Sequence, residues 1–488
     1  MTLQLIFDDT YAVPPDLKAL VGVERFGSLV FQRRSRLEAM RTIAADAGAS
    51  MIHLQKGEDR ESLIATLREE NPDRLSLFCP SHLIPVGTSD AVVTFLRQVQ
   101  YAPCGMHIPL PEARDRRGWI LMRGALLREY LLKQQEGKVT DFFESHGHTL
   151  VDVPGRLRLI DVSDARTLLD FLSGQFDVRL FNAIEHDAYT VTKRSNNRTK
   201  LKREFDFYRL VPPAFQMFMV QPFDYADDGQ TASYKMERLS FPDMALQWVH
   251  RAFQPHEFER FLEHIFHFVK IRPEKRVGKA ELSAVQTDLY VDKVEERIES
   301  FKKLPQYKEL APLLERAFGG IDALLARYLK LYERMHKSFQ STALVIGHGD
   351  LCFSNILYSK TNQYLKLIDP RGAEHEDDLY TDPYYDLAKL SHSILGSYDF
   401  INNDKFDVLV DEKLVLQLSL EGGPPPWAAP MFVNRLQAAG FRPDLIRLCE
   451  ASLFISMLPL HVDRPRKVLG FAINASLILE GVAKDREI

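Results

Sequence analysis

The chain has 488 residues, with Lys+Arg 62 against Asp+Glu 67, and 45% of its residues are hydrophobic. That length exceeds one core and implies two or three domains, while the mixed, slightly acidic charge excludes an overall nucleic-acid footprint. No apolar run approaches the length that spans a bilayer.

In chain order, residues 3–7 and 51–54 read as buried strands. Residues 36–47 read as a helix ending at Gly48. Residues 75–79 form another strand, which runs into Pro80, Ser81 and His82. A helix over 90–99, a strand over 119–122 and a helix over 125–134 follow. Strand and helix alternate, so residues 1–175 are expected to form an α/β layer with a largely parallel sheet. The first strand runs into Asp8 and Asp9 with no Gly and no base, so it lacks the backbone N–H groups or cations that hold an anion at such a turn. Asp8 and Asp9 are candidates for a metal, and Arg33, Arg34 and Arg36 for an anionic ligand; a solvated helix start also accounts for the arginines. Residues 151–175 are the seam between the two halves, and lack the Gly/Ser or Pro run of a flexible linker.

The second half opens with a β-branched, alternating stretch, 188–193, that ends in Lys193. A helix over 199–208 follows, with Leu201, Phe205 and Tyr208 on one face and Glu204 beside it. Lys193 sits among Arg194, Arg198, Lys200, Lys202 and Arg203, which as a group also read as a solvated basic face. Phe181 to Asp187 contains no Gly, so no Gly-rich nucleotide loop precedes Lys193; Asn196 and Asn197 lie where one would meet phosphates, or are loop filler. Residues 233–239 read as a strand entering a connector. From Glu257 onward the spacing is helical, except around one hairpin.

That hairpin carries the densest signal. Residues 343–346 form a short buried strand that delivers His348-Gly349-Asp350 into a loop. Asn355 follows five residues after Asp350. Residues 355–358 and 364–368 read as paired strands around a polar turn, and the second ends at Asp369. Phosphoryl transfer from ATP needs such a set: a carboxylate to take the hydroxyl proton, and an amide oxygen and a second carboxylate to hold Mg2+.

His348-Gly349-Asp350-Leu351 through Asn355, with Ile368-Asp369, resembles the catalytic loop and metal-binding Asp of the aminoglycoside phosphotransferase and choline kinase family. Asp382-Pro383-Tyr384-Tyr385-Asp386-Leu387-Ala388-Lys389-Leu390 resembles that family's following segment, where an acidic residue begins a helix of the C-terminal lobe. The resemblance implies an α+β bilobal protein-kinase-like domain, with an N-lobe over 176–245 and a mostly helical C-lobe over 246–488 that holds the catalytic loop 348–357. It implies Asp350 as base, Asn355 and Asp369 as metal ligands, Lys193 and Glu204 as the phosphate-binding pair, and backbone groups of Met236, Glu237 and Arg238 as the adenine hinge. Arg371 either touches phosphate or an anionic acceptor, or bridges to Asp386 or Glu374. His348 orients the loop, and Asp382, Tyr385 and His392 lie near in sequence. Asp369-Pro370-Arg371 in place of D-F-G points to the small-molecule branch.

Residues 1–175 faintly resemble a GT-A-like sugar-nucleotide nucleotidyltransferase, with 156–164 and the helix 165–172 as its closing elements. The missing Gly-rich loop implies a degenerate domain. Together the resemblances imply an ATP- and Mg2+-dependent kinase of a small-molecule hydroxyl, a sugar or amino alcohol, in surface (capsule) polysaccharide biosynthesis. A non-catalytic scaffold with the kinase fold and a bifunctional kinase plus nucleotidyltransferase are the alternatives. The short apolar start without a basic n-region, and four scattered cysteines without a C-x-x-C pair, imply a cytoplasmic enzyme with neither zinc nor disulfides.

Overall fold

The computed structural model describes residues 3–69, 74–103, 105–111, 116–153, 155, 157–173, 182–187, 189–339, 341–411 and 416–484. The expectations at Phe181, Ala188, Arg156 and positions 174–175 fall outside them. The chain divides into two compact units, Met1–Ser173 and Gly174–Ile488.

In the first unit, β1 (Gln4–Asp8) lies between β2 (Ser50–Leu54) and β3 (Leu75–Pro80), parallel to both. All five residues of β1 are buried, as a strand covered on both faces requires. Side chains alternate across the sheet. Leu5 and Phe7 join one core with α1 (Arg36–Asp46) and α3 (Ser89–Val99). Ile6 joins the other with α2 (Gly57–Glu69) and α4 (Gly124–Gln135). The sheet is mixed, because β5 (Gly118–Arg123) runs antiparallel to both β3 and β4 (Gly105–Pro109). β6 (Leu150–Asp152) pairs parallel with β4.

The two candidate metal carboxylates of this unit are tied into the fold. Asp8 accepts from Arg60 Nη2 at 2.5 Å and from the Thr10 hydroxyl at 2.7 Å. Asp9 accepts from Gly27 N at 2.8 Å. Among the described residues no group of three His, Cys, Asp or Glu is placed to hold a metal ion. Arg36 is not a solvated helix start; it is buried, with its guanidinium 5.9 Å from the centre of the Phe7 ring.

The second unit opens with an antiparallel sheet of β7 (Asn182–His186), β8 (Thr190–Ser195), β10 (Ala232–Glu237) and β9 (Pro222–Asp227), in that order. α5 (Arg198–Leu210) packs on it through Leu201 and Phe205, against Val191 and Tyr234. Asn197, at a position expected near phosphates or as filler, caps α5 by accepting from Lys200 N at 3.1 Å. Leu357 and Ile368 belong to the same apolar cluster, so the hairpin of β12 (Ile356–Ser359) and β13 (Tyr364–Leu367) is anchored to the sheet of β7 to β10.

The rest is helical around β11 (Ala343–Ile346), which pairs antiparallel with short strands at Glu274–Arg276 and Tyr380–Thr381. α6 (Pro255–Lys270) presents Phe261 to Phe353 in the loop after β11, with ring centres 5.6 Å apart. The helices of this part include α7 (Pro383–Ile394), α8 (Pro443–Ser456) and α9 (Pro465–Lys484). A second hairpin, β14 (Phe406–Val410) with β15 (Leu416–Leu420), interrupts the expected helical run. In Leu416–Leu420 apolar and polar residues alternate with period two rather than 3.6.

Candidate active site

The period-two alternation of β8 buries Val191, Lys193 and Ser195 and exposes Arg194. Lys193 is therefore separated from the basic patch around it. Arg198 pairs with Asp227 at 2.7 Å, Arg203 with Glu374 at 2.7 Å, and Lys202 with Asp206. Lys193 instead points inward, with Nζ 2.7 Å from Glu204 Oε2 on α5 and 2.9 Å from Asp369 Oδ1 beyond β13. Both Lys193 and Glu204 are 3% exposed in their side chains. Burial works against the Lys193 charge, but Asp369, Tyr234 and Glu204 more than offset it and keep the amine protonated.

The loop after β11 is held by one buried carboxylate. Asp386, on α7, accepts from both His348 N and Gly349 N at 2.9 Å. Its counter-charge is Arg272, at 3.5 Å. Within the loop, Asn355 Nδ2 donates to Asp350 O at 2.8 Å. Ile368 N donates to Asn355 O at 3.1 Å, and Arg371 N donates to His348 O at 2.9 Å. These bonds gather Asp350, Asn355 and Asp369 from both ends of the hairpin. His348 is buried, with Asp350 N donating to its Nδ1 at 3.3 Å. Burial pushes its ring toward the neutral form.

Asp369 adopts φ 57°, in the left-handed region that non-glycine residues seldom enter and Asp tolerates better than most. Gly372, at φ 65°, is required by close approach: a Cβ there would lie 2.2 Å from Arg203 O on α5. Glu204, Phe207, Tyr234, Met236, Ile368 and Asp369 line a cleft between the sheet and the hairpin.

The structure alters the hinge expectation. Arg238 N donates to Tyr189 O at 2.8 Å, continuing the ladder between β8 and β10, so that N–H is not offered to an adenine. Met236 pairs with Val191 in the same register. Because hydrogen bonding alternates along an antiparallel ladder, the backbone of Glu237 turns to the other edge, where the β9 register ends opposite Met236.

Arg371 is exposed, and its side-chain carbons would meet a Cβ at Gly349. The two carboxylates proposed to bridge to it are engaged elsewhere, Glu374 by Arg203 and Asp386 by Arg272. Asp382 caps α7, accepting from Tyr384 N, Gln286 and Tyr290. His392 is a core residue stacked 4.2 Å from Tyr398. Tyr385 accepts from Lys293 Nζ at 2.9 Å. Cys352 is a buried thiol, pushed up to about 12 by burial. The residue that sequence reasoning missed is Lys389, whose Nζ lies 2.9 Å from Asp350 Oδ1. Its spacing of three from Asp386 was the available signal, since such residues share a helix face.

No protein-family model and no curated protein matches the chain. Solved structures similar to it include a spectinomycin phosphotransferase in complex with ADP and spectinomycin, at 10% identity, over 64% of this chain and 92% of that one, with a TM-score of 0.40. An aminoglycoside phosphotransferase from Streptomyces rimosus, in complex with ADP and streptomycin, matches at 15% identity over 59% and 92% of the two chains, with a TM-score of 0.36. A choline/ethanolamine kinase family protein from Mesorhizobium loti matches at 11% identity over 63% and 87%, with a TM-score of 0.34. Among the described residues no helix is long and apolar enough to cross a membrane.

Proposed function

We propose that the chain is an ATP- and magnesium-dependent phosphotransferase whose acceptor is a hydroxyl of a small molecule. The observation that carries this reading is the chain of ion pairs Glu204–Lys193–Asp369, buried at Glu204 and Lys193 and open at Asp369, set beside the loop that presents Asp350 and Asn355. Phosphoryl transfer asks a protein mainly for position and for charge at the phosphates. Lys193, braced by Glu204, supplies a cation for the nucleotide phosphates. Asp350 accepts the proton of the attacking hydroxyl. Arg371, whose guanidinium has no hydrogen bond or ion pair among the described residues, meets phosphate or an anionic acceptor. The backbone of Glu237 and the connector after Arg238 supply the edge for adenine.

Magnesium takes hard oxygen ligands and keeps several waters. Asn355 fits as a ligand because its bond to Asp350 O uses the amide nitrogen and leaves Oδ1 for a metal. Asp369 fits because Lys193 engages Oδ1 and the second oxygen remains. Magnesium bound there would neutralise charge on the phosphates.

In this reading residues 176–245 and 246–488 are the two lobes of the kinase, and residues 1–175 are a nucleotidyltransferase-like unit without transfer activity. Asp8 and Asp9, already held by Arg60, Thr10 and Gly27, support that loss. A scaffold leaves the buried Lys193–Glu204 pair without a use. The test is acceptor-stimulated ADP release with magnesium, across sugars, amino alcohols and aminoglycosides, run beside Asp350→Ala and Asp369→Asn. Stimulated release that both substitutions abolish supports the reading. Release unchanged by both, or no stimulation together with no ATP-induced shift in Tm, overturns it.

A further inference from the structure

The catalytic loop, residues 348–357, contains no Lys or Arg, so a cation beside Asp350 has to come from elsewhere in the fold. It comes from α7. Lys389 Nζ lies 2.9 Å from Asp350 Oδ1, and the Lys389 side chain is 19% exposed against 43% for that of Asp350. Burial works against the ammonium charge, but Asp350 and Tyr385 beside it more than offset that, so Lys389 keeps its proton.

The spacing on α7 gives the contact a meaning beyond one ion pair. Asp386 and Lys389 are three residues apart and share a face. Asp386 fixes the loop backbone at His348 and Gly349, and Lys389 reaches the side chain of the next residue. One rigid helix therefore holds both the path of the loop and the carboxylate it presents. A partly exposed Asp on a loop samples several rotamers. An ammonium at hydrogen-bond distance, on a stem packed into a helix, selects one of them.

We propose that Lys389 is a positioning residue for Asp350, holding its carboxylate in the orientation that meets the acceptor hydroxyl. The inference rests on the phosphotransferase reading and deepens it. A purely structural ion pair predicts something else: truncation lowers stability and leaves turnover of the folded enzyme alone. A residue that touches phosphate directly also predicts something else: its loss lowers the rate whether or not Asp350 is present.

The test is steady-state ADP release from MgATP by the full chain, with water as phosphoryl acceptor. It compares wild type, Lys389→Met, Lys389→Arg, Asp350→Asn and the double variant Asp350→Asn/Lys389→Met, with thermal melts and MgADP titration on each. Lys389→Met is expected to lower kcat about 100-fold, as misplacement of a reacting group does, with the KM for ATP within about twofold of wild type. Lys389→Arg, which keeps the charge, is expected to recover most of the loss. In the Asp350→Asn background Lys389→Met is expected to change nothing further, because the group it acts through is gone. A Lys389→Met enzyme that melts lower but turns over at the wild-type rate overturns the inference, and so does a further fall in the double variant. If the wild type neither releases ADP nor binds MgADP, the phosphotransferase reading itself fails; if it turns over and Lys389→Met matches it, only the role of Lys389 fails.

Discussion

Replacing Asp386 by Asn keeps the side chain's size and removes its charge and one acceptor oxygen. In the native protein Asp386 Oδ2 accepts from His348 N and Oδ1 from Gly349 N, each at 2.9 Å. The Arg272 guanidinium lies 3.5 Å away, and both side chains are at most 2% exposed. The amide can accept at one oxygen only, so one loop N–H loses its partner, at a cost of about 1–3 kcal/mol for a buried donor. Arg272 also loses its counter-charge, a change that typically costs about 3–5 kcal/mol. One carboxylate serves both roles, so the losses overlap and the combined effect is about 4 kcal/mol. Unfolding entropy runs at about 2.1 cal/mol/K per residue. Over a unit spanning Gly174–Ile488, the loss corresponds to a fall in Tm of about 6 °C. Differential scanning calorimetry measures it, and kcat below the melt should fall as well, because the loop that carries Asp350 is released. A Tm within about 1 °C of wild type would refute the claim that Asp386 holds the loop.

Four other outcomes follow from named contacts. Lys193→Met removes the nearer and buried of the two cations at Glu204, leaving only Lys200 at 3.6 Å, and should destabilise by about 3 kcal/mol in urea unfolding, while weakening MgATP binding in a direct titration. Gly372→Ala forces a Cβ against Arg203 O in a left-handed backbone, and should cost at least about 2 kcal/mol by the same unfolding measurement. Arg371→Ala should leave Tm unchanged, since the side chain is exposed and both nearby carboxylates have other partners, and should raise the KM for ATP or acceptor in steady-state kinetics. Asp399 is buried, and burial pushes its carboxyl up to about 7, against about 3.9 in an unfolded chain. The folded state then keeps a proton that the unfolded state releases, so stability from this site is full below pH 4, declines from pH 4 to 7, and stays low above that. Asp399→Asn remains neutral at every pH, so melts should match wild type near pH 4 and exceed it at pH 8, by up to about 4 kcal/mol.

The parts of the site legible in the sequence were those set by short-range pattern. Alternation over 188–193 marked a strand ending in Lys193, and helical spacing put Glu204 beside Leu201 and Phe205. The step from Asp350 to Asn355 and the polar turn between β12 and β13 returned Asp369 to the loop. What could not be read depends on contacts between distant segments. The N–H of Arg238 looked available as part of a connector, but Tyr189 extends the ladder by one residue and takes it. Lys389 stood inside a quoted motif, yet its partner lies 39 positions earlier, and nothing local says that α7 faces the loop. The left-handed Asp369 was equally hidden, since a Pro at 370 argues for extended backbone before it. In the first unit the alternation of strands and helices was plain, while the antiparallel direction of β5 was not, because period-two patterning is the same in both directions.

The most direct test of the account is calorimetric titration of ATP into the full chain, with and without magnesium, for wild type and Asp369→Asn. Saturable one-site binding to wild type that requires magnesium is expected, with binding at least about tenfold weaker for Asp369→Asn, a change of about 1.4 kcal/mol. Binding that ignores both magnesium and the substitution, or no heat at millimolar ATP, would contradict it.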